Sequence, residues 1–288
     1  MSAHGVLLIT GCSSGIGLAT AVAAARAGFS TVATLRDAAR AGALREAADQ
    51  AGVALDVRPL DVTDPASVTA CVDGVAATYG RLDAVVNNAG VSNFDPTLEM
   101  STDAALRANL EVNFFGVIAV SRAALPLLRA SGGRLVTIGS VHGVVGQPFN
   151  EAYCAAKAAV EGFMESLAPV AGAHGVRVSV VVPGFVPDTG FGVFPDIDRR
   201  TIAAASGPYA PTFADYLSRV GGQGWEAAGQ PAREVAEVVV RTLRAERPAF
   251  RVPTNAWAAA HLAQKLADPD GSAVQTLART WIGRADQH

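Results

Sequence analysis

The sequence predicts an α/β protein: a doubly wound parallel sheet with helices on both faces. Three observations carry that reading. Short β-branched runs alternate with longer Ala-rich segments of helical period through the first 183 residues. The strand candidates are apolar on both faces, as in "AVVN", "RLVTIGS" and "VRVSVVV", which a sheet covered on both sides requires. Finally, three glycines fall within seven residues of "ITGCSSGIGLA", directly behind the apolar run Val6-Leu7-Leu8-Ile9, where a first strand would hand over to a first helix.

Taken in order, the strand candidates are 5–10, 30–35, 53–60, 82–87, 133–139 and 176–182. Helices are expected at 15–27, 38–50, 64–79, 98–130 and 151–173. Right-handed crossovers between parallel strands turn this alternation into a single Rossmann-like domain spanning 1–288. No Ser/Gly linker, repeat or low-complexity tract divides it. From Pro183 to Gln230 the composition turns Gly- and Pro-rich and gathers Phe185, Phe191, Phe194, Tyr209, Phe213, Tyr216 and Trp225. An aromatic-rich stretch of that length beside a sheet's C-terminal edge reads as a substrate lid, or as an excursion whose aromatics anchor it to the body. A helix near 232–245, a strand near 249–252 and two helical segments within the extension 253–288 complete the chain.

Composition narrows the function. Half of the residues are hydrophobic, 17% are charged and the net charge is −3, with no Lys/Arg run to follow a nucleic-acid backbone. No stretch approaches 18 uncharged apolar residues, so no membrane span is expected. The N-terminal "MSAHGVLLITG" lacks the cationic start and long apolar core of a signal peptide. Cys12, Cys71 and Cys154 have no metal or disulfide spacing, which points to reduced thiols, a cytoplasmic setting and no metal site.

Gly11, Gly15 and Gly17 form a T-G-x-x-x-G-x-G arrangement. Missing Cβ atoms allow a tight turn, and the new helix offers unpaired N–H groups and the positive end of its dipole to an anion. A dinucleotide pyrophosphate over Gly11, Ser13, Ser14, Gly15, Ile16 and Gly17 satisfies that arrangement, and Gly17 lets the helix pack tightly on the sheet. At the end of the second strand, "STVATLRD" places Leu35 where a ribose-binding acid would stand, followed by Arg36. A guanidinium binds a 2′-phosphate in fork geometry, so NADP (NADPH) is expected; Asp37, one place later, keeps NAD as the alternative.

The segment "IGSVHGVVGQPFNEAYCAAKAAVEGF" sets Ser140 just past a strand and Tyr153 and Lys157 four residues apart on one helix face. A phenol with an ordinary pKa near 10 is a poor base at neutral pH. A neighbouring ammonium stabilises the phenolate and is expected to lower that value. Ser140 then polarises a substrate oxygen while Tyr153 exchanges a proton with it.

In these motifs the chain resembles the short-chain dehydrogenases/reductases of the non-extended type. The resemblance covers residues 5 to about 190 and runs through "TGCSSGIG", "LDV" at 60–62, "NNAG" at 87–90, "EVN" at 111–113, "GS" at 139–140, "YCAAK" at 153–157 and "PG" at 183–184. It implies that Asp61, with Val62, meets the adenine and that Asn88, Ala89 and Gly90 line the cofactor. It adds Asn113 to Ser140, Tyr153 and Lys157 as a catalytic tetrad, and gives Lys157 the nicotinamide ribose. It also implies cofactor contacts from Pro183, Gly184, Val186 and Thr189. Asp188 stands where the family usually has that threonine, so either the loop carries one extra residue or the hydroxyl contact is missing. Wording such as "VATLRD" and "GSVHGVVGQPFNEAYCAAKAAVEGFMESLA" is similar to the hydroxysteroid and retinol dehydrogenase branch. The branch implies a large apolar alcohol or carbonyl substrate, for which His142, Phe149, Phe185 and Phe191 are the candidate contacts. His142 is open to a second reading, a loop histidine satisfied by backbone. The family also implies a homodimer or homotetramer, with the small-residue face of 151–173 as one interface.

Overall fold

The structure, a computed structural model, describes residues 5–92, 96–189, 199–220, 229–267 and 280. Seven strands form one sheet in the order β3-β2-β1-β4-β5-β6-β7, and every neighbouring pair is parallel. They are β1 (Val6–Ile9), β2 (Ser30–Leu35), β3 (Asp56–Pro59), β4 (Ala84–Asn87), β5 (Arg134–Ile138), β6 (Arg177–Val182) and β7 (Arg251–Pro253). The order reverses direction between β1 and β4, and parallel sheets open a crevice at the carboxyl ends of the strands at such a point.

Alternation along each strand builds two cores. Leu8, Val32, Val85, Leu135 and Val180 point to the face covered by α3 (Pro65–Tyr79), α5 (Gly116–Ser131) and α6 (Glu151–Gly172). Leu7, Ile9, Ala33, Val86 and Val136 point to the other face, covered by α1 (Gly15–Arg26), α2 (Gly42–Ala51) and α9 (Ala232–Arg244). Most residues of the central strands therefore bury their side chains whichever way they point, which is why these strands read as largely apolar runs. The third strand, expected over 53–60, is shorter because Gly52 ends α2 in the left-handed conformation (φ 65°) and residues 53–55 only lead the chain back.

The long helix expected at 98–130 is divided. Residues 98–101 form a turn, α4 (Asp103–Leu110) starts after the Thr102 cap, and Glu111–Phe115 form a π-helical turn before α5. By length and composition the run Asp103–Ser131 would suffice to cross a bilayer. Here it lies on the sheet, packed against α3, β4 and α6, and it carries Arg107, Glu111, Arg122 and Arg129.

Two helices of the aromatic-rich segment are described, α7 (Arg199–Ala205) and α8 (Ala210–Val220), and α10 (Ala256–Leu266) follows β7. Phe213 and Tyr216 of α8 are fully buried against Phe149, with ring centroids 5.0 and 5.5 Å away. The second helical segment of the C-terminal extension falls outside the described residues.

Candidate active site

The crevice at the sheet's switch point is a cavity of about 470 Å³. Its first half is built where β1 and β4 end. The Thr10 hydroxyl accepts hydrogen bonds from the Asn88 and Ala89 amides (both 3.0 Å), and the Asn88 side chain donates back to the Thr10 and Gly11 carbonyls (both 2.9 Å). This clamp fixes the floor over which the glycine loop turns. Gly15 adopts φ 55°, which only glycine takes readily. At Gly17 a Cβ would stand 2.2 Å from the Gly11 carbonyl oxygen and 2.4 Å from Asn88 Nδ2.

The cap residue of α1, Ser14, makes no side-chain cap bond, and the first turn holds no acidic residue. The helix thus presents unpaired N–H groups and uncompensated dipole to the cavity, which suits a pyrophosphate. Across from it, the Asp61 carboxylate accepts from the Thr63 amide at 2.9 Å and the Thr63 hydroxyl at 2.7 Å through the same oxygen. Those bonds, chiefly the backbone one, hold its pKa below the ordinary carboxylate value and keep an anionic acceptor at the rim. The cradle fits a nicotinamide dinucleotide.

The second half carries the chemistry. Ser140 follows β5 in extended conformation and caps a short 3-10 turn, with its Oγ accepting from the His142 amide at 3.1 Å. Gly143 lets that turn lie against α6, since a Cβ there would meet the Lys157 backbone carbonyl at 2.9 Å. Ser140 is thereby pressed toward Tyr153, and a hydrogen bond joins the two side chains. The Lys157 amine donates to the Ile138 carbonyl at 2.9 Å and lies 5.8 Å from the Tyr153 ring centroid.

Burial acts on both ionisable groups. It pushes the Tyr153 phenol well above its ordinary value, against the opposing Ser140 hydrogen bond. The expectation that Lys157 would bring this pKa down is corrected: burial raises it, and the effect that opposes burial is the Ser140 hydrogen bond. Burial lowers Lys157 from 10.5 to about 8. Tyr153 is thus held as a neutral acid beside an amine that is still largely cationic at neutral pH.

Lys157 has a consequence for stability. Between about pH 8 and the ordinary lysine value, the unfolded chain binds a proton that the folded chain lacks, so folding gains stability as pH rises through that window. Below pH 8 both states are protonated and the gain is absent. Lys157→Met removes this dependence. Urea unfolding of the apoprotein at pH 7 and pH 9.5 is expected to show the wild type gaining on the variant, by at most about 1.4 kcal/mol per pH unit. A gap that does not change with pH would mean that Lys157 titrates normally.

Asn113 lies in the π-helical turn and is fully buried. Its amide exchanges two hydrogen bonds with the Val91 backbone (3.1 and 2.8 Å) and donates a third to Asn109 Oδ1 at 2.7 Å. The side chain is fully engaged in fixing the segment behind β4. It is not among the residues that line the cavity.

The structure brings the remaining expected cofactor contacts onto the wall of this one cavity: the glycine loop from Gly11 to Gly17, Arg36, Asp61, Val62, Asn88, Ala89, Gly90, Pro183, Gly184, Val186 and Thr189. It also distinguishes the two loop candidates. Asp188 accepts from the Ala232 amide with both oxygens (2.9 and 3.0 Å) and so caps α9. Thr189 lines the cavity against Gly15.

Of the substrate candidates, Phe185 and His142 line the cavity. His142 Nδ1 also lies 3.3 Å from the Val145 carbonyl, and burial lowers its pKa to about 4, so it is neutral. Phe149 is corrected: it is not on the cavity wall, because it packs among Phe213, Tyr216 and Leu217. Phe191 lies outside the described residues. Gln147 and Asn150 are cavity residues that the sequence reading missed. The signal for Asn150 was its place three residues before Tyr153.

Comparison with known proteins agrees with this geometry. The family model described as short chain dehydrogenase matches residues 5–193. Bovine retinol dehydrogenase 8 (Bos taurus) is 36% identical over 280 residues, covering 92% of this chain and 86% of its own. Human 17-beta-hydroxysteroid dehydrogenase type 1 (Homo sapiens) is 38% identical over 277 residues, covering 94% and 83%. Among solved structures, an alcohol dehydrogenase from the archaeon Thermococcus sibiricus complexed with 5-hydroxy-NADP superposes with a TM-score of 0.70 at 26% identity, covering 86% of this chain and 95% of the other.

Proposed function

For a chain that belongs to the short-chain dehydrogenase/reductase family, and so is an NAD(P)-dependent oxidoreductase, we propose NADP(H) as the cofactor and an apolar secondary alcohol/ketone or primary alcohol/aldehyde pair as the substrate. The observation that carries this reading is the single cavity that holds the dinucleotide cradle and Ser140, Tyr153 and Lys157 together.

When bound, the reduced nicotinamide supplies the hydride. Ser140 donates a hydrogen bond to the carbonyl oxygen, and the Tyr153 hydroxyl gives its proton to the alkoxide as it forms. The Lys157 cation stabilises the phenolate left behind. Burial favours the neutral phenol, the form that gives its proton when a carbonyl is reduced. Val91, Val112, Ile138 and Phe185 give the wall an apolar character, which suits the substrates named in the retinol and hydroxysteroid relatives.

Cofactor choice follows the end of β2. Arg36 is on the cavity wall, while the Asp37 carboxylate is engaged in accepting from the Ala39 amide at 3.0 Å. A guanidinium–phosphate pair is charge-assisted, so Arg36→Ala is expected to reduce the kcat/KM preference for NADPH over NADH by about tenfold to a hundredfold. Steady-state assays of both proteins with both cofactors, against a panel of apolar ketones and aldehydes, test the whole reading. A wild type that prefers NADH overturns the cofactor assignment, and no carbonyl reduction across the panel overturns the reaction.

The assembly proposed is a homodimer, or a homotetramer built from it, formed through α5 and α6 in the cytoplasm. Phe115 (50% exposed) and Phe163 (38%) stand outward there, with Phe114 edge-on to both.

A further inference from the structure

Among the described residues, Phe149 is the one non-glycine residue with a positive φ, 59°. A bulky side chain is disfavoured in the left-handed region, and such strain persists only where the surroundings over-determine it. Here they do. The Phe149 ring is buried, edge-on to Phe213 and tilted against Tyr216, with Leu217 in the same cluster. A second tie lies beside it: Gln147 Nε2 donates to the Tyr216 hydroxyl at 2.8 Å, and Asn150 Nδ2 donates to Gln147 Oε1 at 2.8 Å. In this way α8 holds the chain on both sides of residue 149.

The held segment runs straight into the catalytic helix. Phe149 stands two residues before α6, and the Asn150 carbonyl accepts from the Cys154 amide in its first turn at 2.9 Å. The Gln147 amide donates to Cys154 Sγ at 3.2 Å, which fastens the segment to that turn again. Tyr153 is the third residue of α6. Gln147, Asn150 and Tyr153 all line the cavity, while no described residue of α8 does. The path from α8 to the reacting atoms therefore runs through this segment.

We propose that Phe149 is a positioning residue for carbonyl reduction. Its ring, seated on α8, holds the backbone left-handed, and that conformation sets the wall at Gln147 and Asn150 and the first turn of α6 around Tyr153. This deepens the carbonyl-reductase reading above and rests on it. The aromatic residues of α8 serve the reaction at one remove, by fixing where the phenol stands.

Phe149→Ala and Phe149→Gly in the full-length protein separate the backbone from the packing. Both remove the ring, and only glycine takes the left-handed conformation readily without it. At saturating NADPH and carbonyl, Phe149→Ala is expected to lower kcat by about tenfold or more, with NADPH affinity within a few-fold of wild type. Phe149→Gly is expected to recover most of that loss, whereas a residue that only fills a core would make alanine the better of the two. A second readout needs neither cofactor nor substrate: the rate at which an aromatic disulfide reagent modifies Cys154, assigned with Cys154→Ser. Cys12 and Cys71 are buried, and Cys154 is half-buried beside the Gln147 amide. That rate is expected to rise in the alanine variant and to stay near wild type in the glycine variant. If Phe149→Ala does not fold, Tyr216→Phe keeps the α8 ring, removes its bond to Gln147, and is expected to lower kcat and raise the thiol rate severalfold. With an active wild type, kcat decides: glycine no better than alanine, or Tyr216→Phe unchanged where alanine does not fold, overturns the proposal. A wild type that reduces no carbonyl across the panel overturns the proposed reaction, and the same comparisons of thiol rate then decide the positioning.

Discussion

Tyr153→Phe is expected to lower kcat by about 10²–10⁴-fold while leaving NADPH affinity within a few-fold of wild type, because the substitution removes one proton and keeps the ring. Tyr153 is 6% exposed in the first turns of α6, and its ring packs the same way without the hydroxyl. The variant loses its hydrogen bond with Ser140, a modest cost in stability of about 1 kcal/mol. It also loses the acid assigned to protonate the substrate oxygen. His142 does not substitute for it: with a pKa lowered to about 4 it has no proton to give as a cation at pH 7, and it already faces the Val145 carbonyl. Lys157 donates one N–H to the Ile138 carbonyl, and its assigned part is to stabilise the phenolate as a cation. Stopped-time assays for kcat and a fluorescence titration for NADPH separate the two effects. A variant that turns over within tenfold of wild type would remove Tyr153 from proton transfer and pass that role to a solvent-derived acid.

What the sequence revealed and what it withheld divide along the range of the interactions involved. The parallel sheet was legible because burial on both faces makes its central strands largely apolar, as in Ala84–Asn87 and Arg177–Val182. Tyr153 and Lys157 were legible because helical spacing alone puts them on one face. The break in the long helix was not, because its cause is distant: Asn113 turns inward to bond Val91, 22 residues away, and the chain takes a π-helical turn there. Phe149 misled for a similar reason. It sits between Ser140 and Tyr153 in sequence, yet its positive φ of 59° turns it to Phe213 and Tyr216 of α8, which sequence distance conceals. At Gly17 the sequence pointed to a helix packed tightly on the sheet, and the atoms that crowd the position are the chain's own.

Gly17→Ala follows from that last point and runs against helix propensity. Gly17 is the third residue of α1, so alanine there is expected, on propensity alone, to stabilise the helix by about 1 kcal/mol. The surroundings reverse the sign. The new methyl would meet the Gly11 carbonyl oxygen at 2.2 Å and Asn88 Nδ2 at 2.4 Å, and neither belongs to a flexible side-chain end. Asn88 is held by its bonds to the Thr10 and Gly11 carbonyls, and its backbone amide by the Thr10 hydroxyl. Relief therefore requires α1 to move off the sheet or the β1–β4 clamp to open. Overpacking of this kind costs about 1–3 kcal/mol, and here it adds the loss of two part-buried hydrogen bonds, so a net destabilisation of about 3 kcal/mol is expected. Because α1 begins at the glycine loop, the same displacement carries its N–H groups out of line with the pyrophosphate, and NADPH affinity should fall by about tenfold or more. Gly42→Ala provides the contrast. Gly42 opens α2, its φ is not positive, and no atom lies within 4 Å of the added Cβ, so that variant is expected to gain about 0.4–1 kcal/mol. Urea unfolding of both variants with a parallel NADPH titration decides the matter. If Gly17→Ala is as stable as Gly42→Ala, the fit between helix and sheet is looser than these distances state, and the glycine is there for the cofactor alone.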